Sequence, residues 1–115
     1  MIDKRKFLRF NAPLKVEIVL DAEMSLVEKG ESIDFSREGL RVKLSFSPRL
    51  LQEKISKLKV YLPKQSSPIT LEAIAKWVKP KEYDCEIGFN IKKINPQDKN
   101  AILDYVYNVW KQQIK

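Results

Sequence analysis

Two of the chain's five arginines stand in Lys4-Arg5-Lys6-Phe7-Leu8-Arg9, a segment without strand alternation; the others are Arg37, Arg41 and Arg49. A guanidinium is a planar fork that grips phosphate through paired N–H groups and stacks on aromatic faces, which the point charge of lysine does less well. It also matches the O6 and N7 edge of guanine, a contact worth roughly 1–3 kcal/mol of discrimination. Two such forks on a short arm can close over a planar, doubly phosphorylated ligand. The competing reading is a solvated basic terminus. The spacing alone does not decide between them, because Arg37 and Arg41 repeat the same R-x-x-x-R step.

The second segment with more than framework chemistry is Asp34-Phe35-Ser36-Arg37-Glu38-Gly39. Asp34 and Ser36 carry oxygens that fold back on local backbone in tight turns. Gly39, one of three glycines, permits a positive φ or the close approach of a ligand. A turn that exposes backbone N–H groups, a carboxylate and a hydroxyl can read a guanine edge and hold a phosphate. A turn that needs Asp, Ser and Gly only for its geometry is the alternative.

Other chemistries are poorly served. There is no histidine, and Cys85 is the only cysteine. That composition argues against a zinc site and against Ser–His or Cys–His nucleophile pairs. No paired-carboxylate site stands out, so no catalytic residue, metal ligand or cofactor is assigned. Cys85 lies in an alternating apolar run and reads as a small buried hydrophobe. The 22 basic residues against 15 acidic ones give a net charge of +7, which favours an anionic partner without naming it.

The elements that must position these segments are mostly strands. Leu14, Val16, Ile18 and Leu20 alternate with polar residues, as do Leu40, Val42 and Leu44, then Leu58, Val60 and Leu62. Ile69, Leu71, Ala73, Ala75 and Trp77 form another one-faced run, and Cys85, Ile87, Phe89 and Ile91 the last. A weaker sixth strand covers about Val27 to Ile33, interrupted by Gly30. Pro48, Pro63, Pro68 and Pro80 separate runs, and Pro48 to Ser56 is ambiguous. Many short strands at close spacing predict an all-β barrel or sandwich. The period then changes: Asn95 can cap, Pro96 suits the first helical turn, and Ile102, Tyr105, Val106, Val109 and Trp110 recur at helical steps. A chain of 115 residues holds one domain. Its predicted parts are a basic arm over 1–12, a barrel over 13–93 and a helix over 95–113.

Taken together, Arg5-Lys6-Phe7-Leu8-Arg9 followed at this separation by Asp34-Phe35-Ser36-Arg37-Glu38-Gly39 resembles the signature of the PilZ family, R-x-x-x-R and then [D/N]-x-S-x-x-G. Trp77 near the end of a long strand and the Gly88-Phe89 pair also look like family features. The resemblance extends over nearly the whole chain. It implies a six-stranded antiparallel β-barrel with one C-terminal α-helix and a ligand, the bacterial second messenger cyclic di-GMP. Carried over by residue, Arg5 and Arg9 would grip phosphate and the guanine Hoogsteen edge, one of them stacking on a base. Asp34 would accept from a guanine N–H, Ser36 would bond phosphate or base, and Gly39 would let the backbone approach. Lys4 stands where many members carry a further arginine; it neutralises phosphate but forks and stacks less well. Arg41 would add a contact from the strand after the turn.

The expectation is a receptor, not an enzyme, whose arm orders on binding and is then read by a separate protein partner. Two further readings stay open: a PilZ-like adaptor that binds only protein, and a basic barrel that binds single-stranded nucleic acid. The latter would want exposed aromatics on a strand surface. Tyr61 and Tyr83 are its only candidates and read as half-buried strand residues. No apolar run approaches the roughly 20 residues of a membrane span, and no apolar stretch follows the charged N-terminus. The sequence therefore predicts a cytoplasmic protein without membrane insertion.

Overall fold

Alternation produces strands with one dry face, and the chain closes six of them into a ring. The computed structural model describes residues 10–21, 26–45 and 53–113. Its strands are β1 (Phe10–Asn11), β2 (Lys15–Asp21), β3 (Leu26–Phe35), β4 (Gly39–Leu44), β5 (Ile55–Tyr61), β6 (Ile69–Pro80) and β7 (Cys85–Lys93), followed by helix α1 (Pro96–Gln113). The ring runs β3-β2-β5-β6-β7-β4 and returns to β3 through the β3–β4 pair, antiparallel throughout. Closure pairs both edges of every ring strand. This is the predicted six-stranded antiparallel barrel with a C-terminal helix.

The barrel is filled by the inward residues of each alternation, among them Val16, Ile18, Val42, Leu58, Val60 and Ile87, all fully buried. Cys85 is buried with them, as its run predicts. Helix α1 begins where the sequence puts it. The Asn95 side-chain oxygen accepts from the Gln97 N–H at 2.8 Å, and its carbonyl accepts from the Lys99 N–H at 2.9 Å. Ile102 and Val106 enter the core, with Tyr105 and Val109 packed against it, and the helix lies against β1. Trp110, expected in the same stripe, is half-buried and pairs with exposed Tyr107, ring centroids 5.9 Å apart.

Alternation misassigns faces at Leu20 and Trp77, and the cause in both strands is a shift of register. The β2–β3 pairing slips between Val19 and Asp21, and Leu20, expected inside, is 36% exposed. The β6–β7 pairing slips between Ala75 and Trp77, leaving Lys76 as the extra residue. A bulge reverses the facing of everything beyond it, so Trp77 leaves the buried row of Ala73 and Ala75 and is 38% exposed. The weak sixth strand is also longer than predicted. It runs unbroken through Gly30 as β3 and takes in Asp34 and Phe35, while Gly39 opens β4. Tyr83 is another correction: it lies in the loop closed by the Lys81 N–H to Asp84 carbonyl bond of 2.7 Å and is 85% exposed. Tyr61 is half-buried as expected, with Lys15 over its ring and its hydroxyl donating to Glu17. Within the ambiguous stretch 48–56, residues 48–52 lie outside the described residues and Ile55 and Ser56 begin β5.

Candidate functional site

The β3–β4 pairing carries the bulge that makes the site. Ser32 stands opposite Val42, but the next pair is Asp34 with Arg41, and Ile33 is the extra residue. Without that slip Asp34 would share the facing of Ser32. With it, Asp34 joins Arg41 on the outer face, while Leu40 and Val42 of the same strand point into the core. Across the ring, Arg41 is opposite Gly88 of β7, and Gly88 is opposite Trp77 of β6. The two bulges thus set Asp34, Arg41, Gly88 and Trp77 in one outer row. It spans three strand spacings, roughly 14 Å.

Each member of the row is fixed by its neighbour. Arg41 Nε and Nη2 donate to the same Asp34 oxygen, Oδ2, at 2.9 and 2.6 Å. The Asp34 side chain is 1% exposed and that of Arg41 29%. Hydrogen bonding to Asp34 pushes the Arg41 guanidinium above its ordinary pKa against the opposing effect of burial, with the charges of Asp34 and Glu86 adding to the rise. At the other end the Trp77 indole lies on Gly88: a Cβ there would sit 2.3 Å from Trp77 Cε2 and Nε1. Only glycine at position 88 leaves the space that the indole occupies.

The turn after β3 holds itself together. The Ser36 N–H donates to the Gly39 carbonyl at 2.8 Å. Ser36 Oγ accepts from the N–H groups of Glu38 and Gly39 at 3.3 and 3.2 Å and donates to the Gly39 carbonyl at 3.4 Å. The backbone N–H groups of Ser36, Glu38 and Gly39 therefore point into the turn, satisfied by the Gly39 carbonyl and the buried Ser36 hydroxyl. The Ile91 N–H of β7 bonds the Glu38 carbonyl at 2.8 Å and pins the turn to the barrel. Arg37 and Glu38 are its exposed side chains. Gly39 does not adopt a positive φ. It is required for a close approach of another kind, since a Cβ would lie 2.0 Å from the Phe89 carbonyl oxygen of β7.

Lys4, Arg5 and Arg9 lie outside the described residues. What is described is where their segment is rooted. Strand β1 pairs Phe10 with Phe35 and Asn11 with Asp34. The link from β1 to β2 is stapled by Ser32, whose hydroxyl donates to the Ala12 carbonyl at 2.7 Å and accepts from the Leu14 N–H at 2.8 Å. Phe35, the partner of Phe10, directly precedes Ser36. A groove of about 390 Å³ opens between the β1–β2 link and the outer side of β3 and β4, lined by Asn11, Pro13, Glu31, Ile33, Arg41 and Lys43 among others. That volume is in the range of small-molecule sites, roughly 300–1,000 Å³.

Of the residues predicted from sequence, Asp34, Ser36, Gly39 and Arg41 thus come together on one flank, with the root of the arm beside them. Sequence reasoning missed the Asp34–Arg41 pair, the outward indole of Trp77 beside that pair, and Glu86, whose Oε2 is 3.7 Å from Arg41 Nη1. A Trp placed after a lysine at the end of a long alternation, with a glycine in the following strand, was the available signal for the second.

The model of the PilZ domain family matches residues 3–108 of the chain. No curated protein sequence matches. Among solved structures, the Bacillus subtilis inhibitor of motility (MotI/DgrA) is similar with a TM-score of 0.76 and 22% identity over 99% of this chain and 54% of that one. The PilZ domain of YcgR from Escherichia coli, solved with c-di-GMP, has a TM-score of 0.73 and 14% identity over 96% and 94% of the two chains. The K. pneumonia MrkH–c-di-GMP complex has a TM-score of 0.73 and 14% identity over 95% and 52%. The chain spans about half the length of the MotI/DgrA and MrkH chains. At these identities the likeness is one of fold.

Proposed function

The chain belongs to the PilZ domain family, and we propose that it is a cytoplasmic cyclic di-GMP receptor that binds ligand between its N-terminal arm and the outer row of the barrel. The observation that carries this reading is the convergence produced by β1 and two bulges. The strand from which the R-x-x-x-R arm leaves, Asp34 and the Ser36 turn are neighbours at the end of β3, and the outward indole of Trp77 lies two strands beyond Arg41 on the same outer face. A cyclic dinucleotide presents what those groups take: two phosphates for Arg5 and Arg9 with Lys4 adding charge, guanine N–H donors for Asp34, and flat faces for guanidinium or indole. Ser36 and Gly39 serve the site by building the turn that follows Asp34 and fixing it against β7.

In this reading the activity is binding, not catalysis. Before binding, the arm's basic side chains repel one another. Ligand phosphate neutralises them, and the arm closes over the row and offers a new surface to a protein partner.

Calorimetric titration tests the reading. Cyclic di-GMP is expected to bind, with GMP and cyclic di-AMP at least roughly tenfold weaker, about 1.4 kcal/mol. Equal affinity for the three, or no heat of binding for cyclic di-GMP, refutes it.

A further inference from the structure

The carboxylate proposed to read guanine is already engaged by a side chain of similar shape. Arg41 presents Nε–H and Nη2–H as two near-parallel donors in one plane, and both fall on Asp34 Oδ2. The N1–H and N2–H edge of guanine is the same object to a carboxylate. An ionised carboxylate has about four acceptor positions on its two oxygens, and Arg41 takes two on one of them. A base that spans both oxygens must therefore displace at least one Arg41 bond.

The displaced cation has a receiver. Arg41 Nη1 stands 3.7 Å from Glu86 Oε2, while the other Glu86 oxygen is held by Lys81 Nζ at 2.6 Å. Glu86 is on β7, opposite Lys43 and two residues from Gly88. Its carboxyl is held below the usual glutamate range, first by the Lys81 hydrogen bond, against a smaller burial effect, and then by the charges of Lys81, Arg41 and Lys79. It therefore remains an anion at neutral pH. The chain Asp34–Arg41–Glu86–Lys81 runs from the end of β3 across two strands to the loop after β6.

Building on the cyclic di-GMP reading, we propose that Arg41 stands in for the guanine edge on Asp34 in the free protein and passes to Glu86 when the base arrives. Arg41 and Glu86 are then positioning residues that set affinity without touching the base. The stand-in makes only part of the free population competent for binding and lowers apparent affinity by that fraction. Glu86 offsets the loss by giving the guanidinium a second place.

The signs are opposite to those of direct contacts. Arg41→Met removes the competitor, so cyclic di-GMP should bind at least roughly threefold tighter, although the ligand-free melting temperature falls with the loss of the buried pair. Glu86→Gln removes the receiver, so binding should weaken by roughly threefold or more with the ligand-free melting temperature little changed. Because Glu86 acts through Arg41, the double variant should bind like Arg41→Met. Calorimetry and thermal melts on the wild type and these three variants decide it. Weaker binding by Arg41→Met makes Arg41 a ligand contact and overturns the exchange while the receptor reading stands. Should Arg41→Met not fold, an unchanged affinity of Glu86→Gln overturns it. Absence of binding by the wild type defeats the receptor reading, and the exchange falls with it.

Discussion

Replacing Gly39 with alanine is expected to destabilise the barrel by about 3 kcal/mol, a large part of the roughly 5–15 kcal/mol that holds a domain of this size. The added Cβ would lie 2.0 Å from the Phe89 carbonyl oxygen, with Phe89 C at 3.1 Å and Asn90 Cα at 3.3 Å. All three atoms belong to the backbone of β7, so no side-chain rotation relieves the clash. Strands β4 and β7 must part, beginning at the Gly39–Asn90 pair, and the Glu38 carbonyl's bond to the Ile91 N–H goes with it. Urea unfolding should give a lower midpoint, and the melting temperature should fall by on the order of 12 °C. Contrast Gly88, where the obstacle to a Cβ is the side chain of Trp77, a group that can move off the sheet. A Gly39→Ala barrel as stable as the wild type would mean that the two strands are not in contact as described.

Arg5→Ala and Arg9→Ala should each weaken cyclic di-GMP binding at least roughly tenfold, about 1.4 kcal/mol. The argument turns on shape as well as charge. Lysine at either position keeps the cation but loses the fork and the stacking plane, so Arg9→Lys should recover little of the affinity. Lys6 lies between the two arginines and carries the same charge but occupies a variable position of R-x-x-x-R. Lys6→Ala should cost less than roughly threefold, the size of a screened surface contribution. Equal losses at Lys6, Arg5 and Arg9, all removed by salt, would reduce the arm to a diffuse positive field.

Much of the architecture is legible in the sequence because burial of one strand face writes itself as a period of two. The helix announces itself through Asn95, Pro96 and the change of period. The motif residues Asp34, Ser36 and Gly39 can be singled out because acceptor side chains and a glycine cluster in a chain that has few glycines. What a single sequence hides is where the register slips. A bulge at Ile33 or Lys76 adds one residue without altering composition, yet it decides that Asp34 and Trp77 face outward. Cross-strand partners are hidden for the same reason: Arg41 meets Asp34 only because of that slip, and Gly39 meets Phe89 from 50 residues away. Between the two readings of the turn that the sequence leaves open, the Ser36 hydroxyl bonds within its own turn. A β-turn and a binding turn use the same residues, and only the positions of the N–H groups separate them.

The central claim is that arm, turn and outer row form one ligand site. The most direct measurement is the ¹⁵N chemical-shift map of the chain titrated with cyclic di-GMP, recording backbone amides and the Trp77 indole N–H. The largest changes are expected at Phe10–Asn11, Ser36–Gly39, Arg41 and the Trp77 indole, with the Arg5 and Arg9 amides shifting at the same ligand ratio. Changes confined to the groove of Lys29, Lys43 and Tyr83, or to the exposed face of α1 around Tyr107, would contradict it.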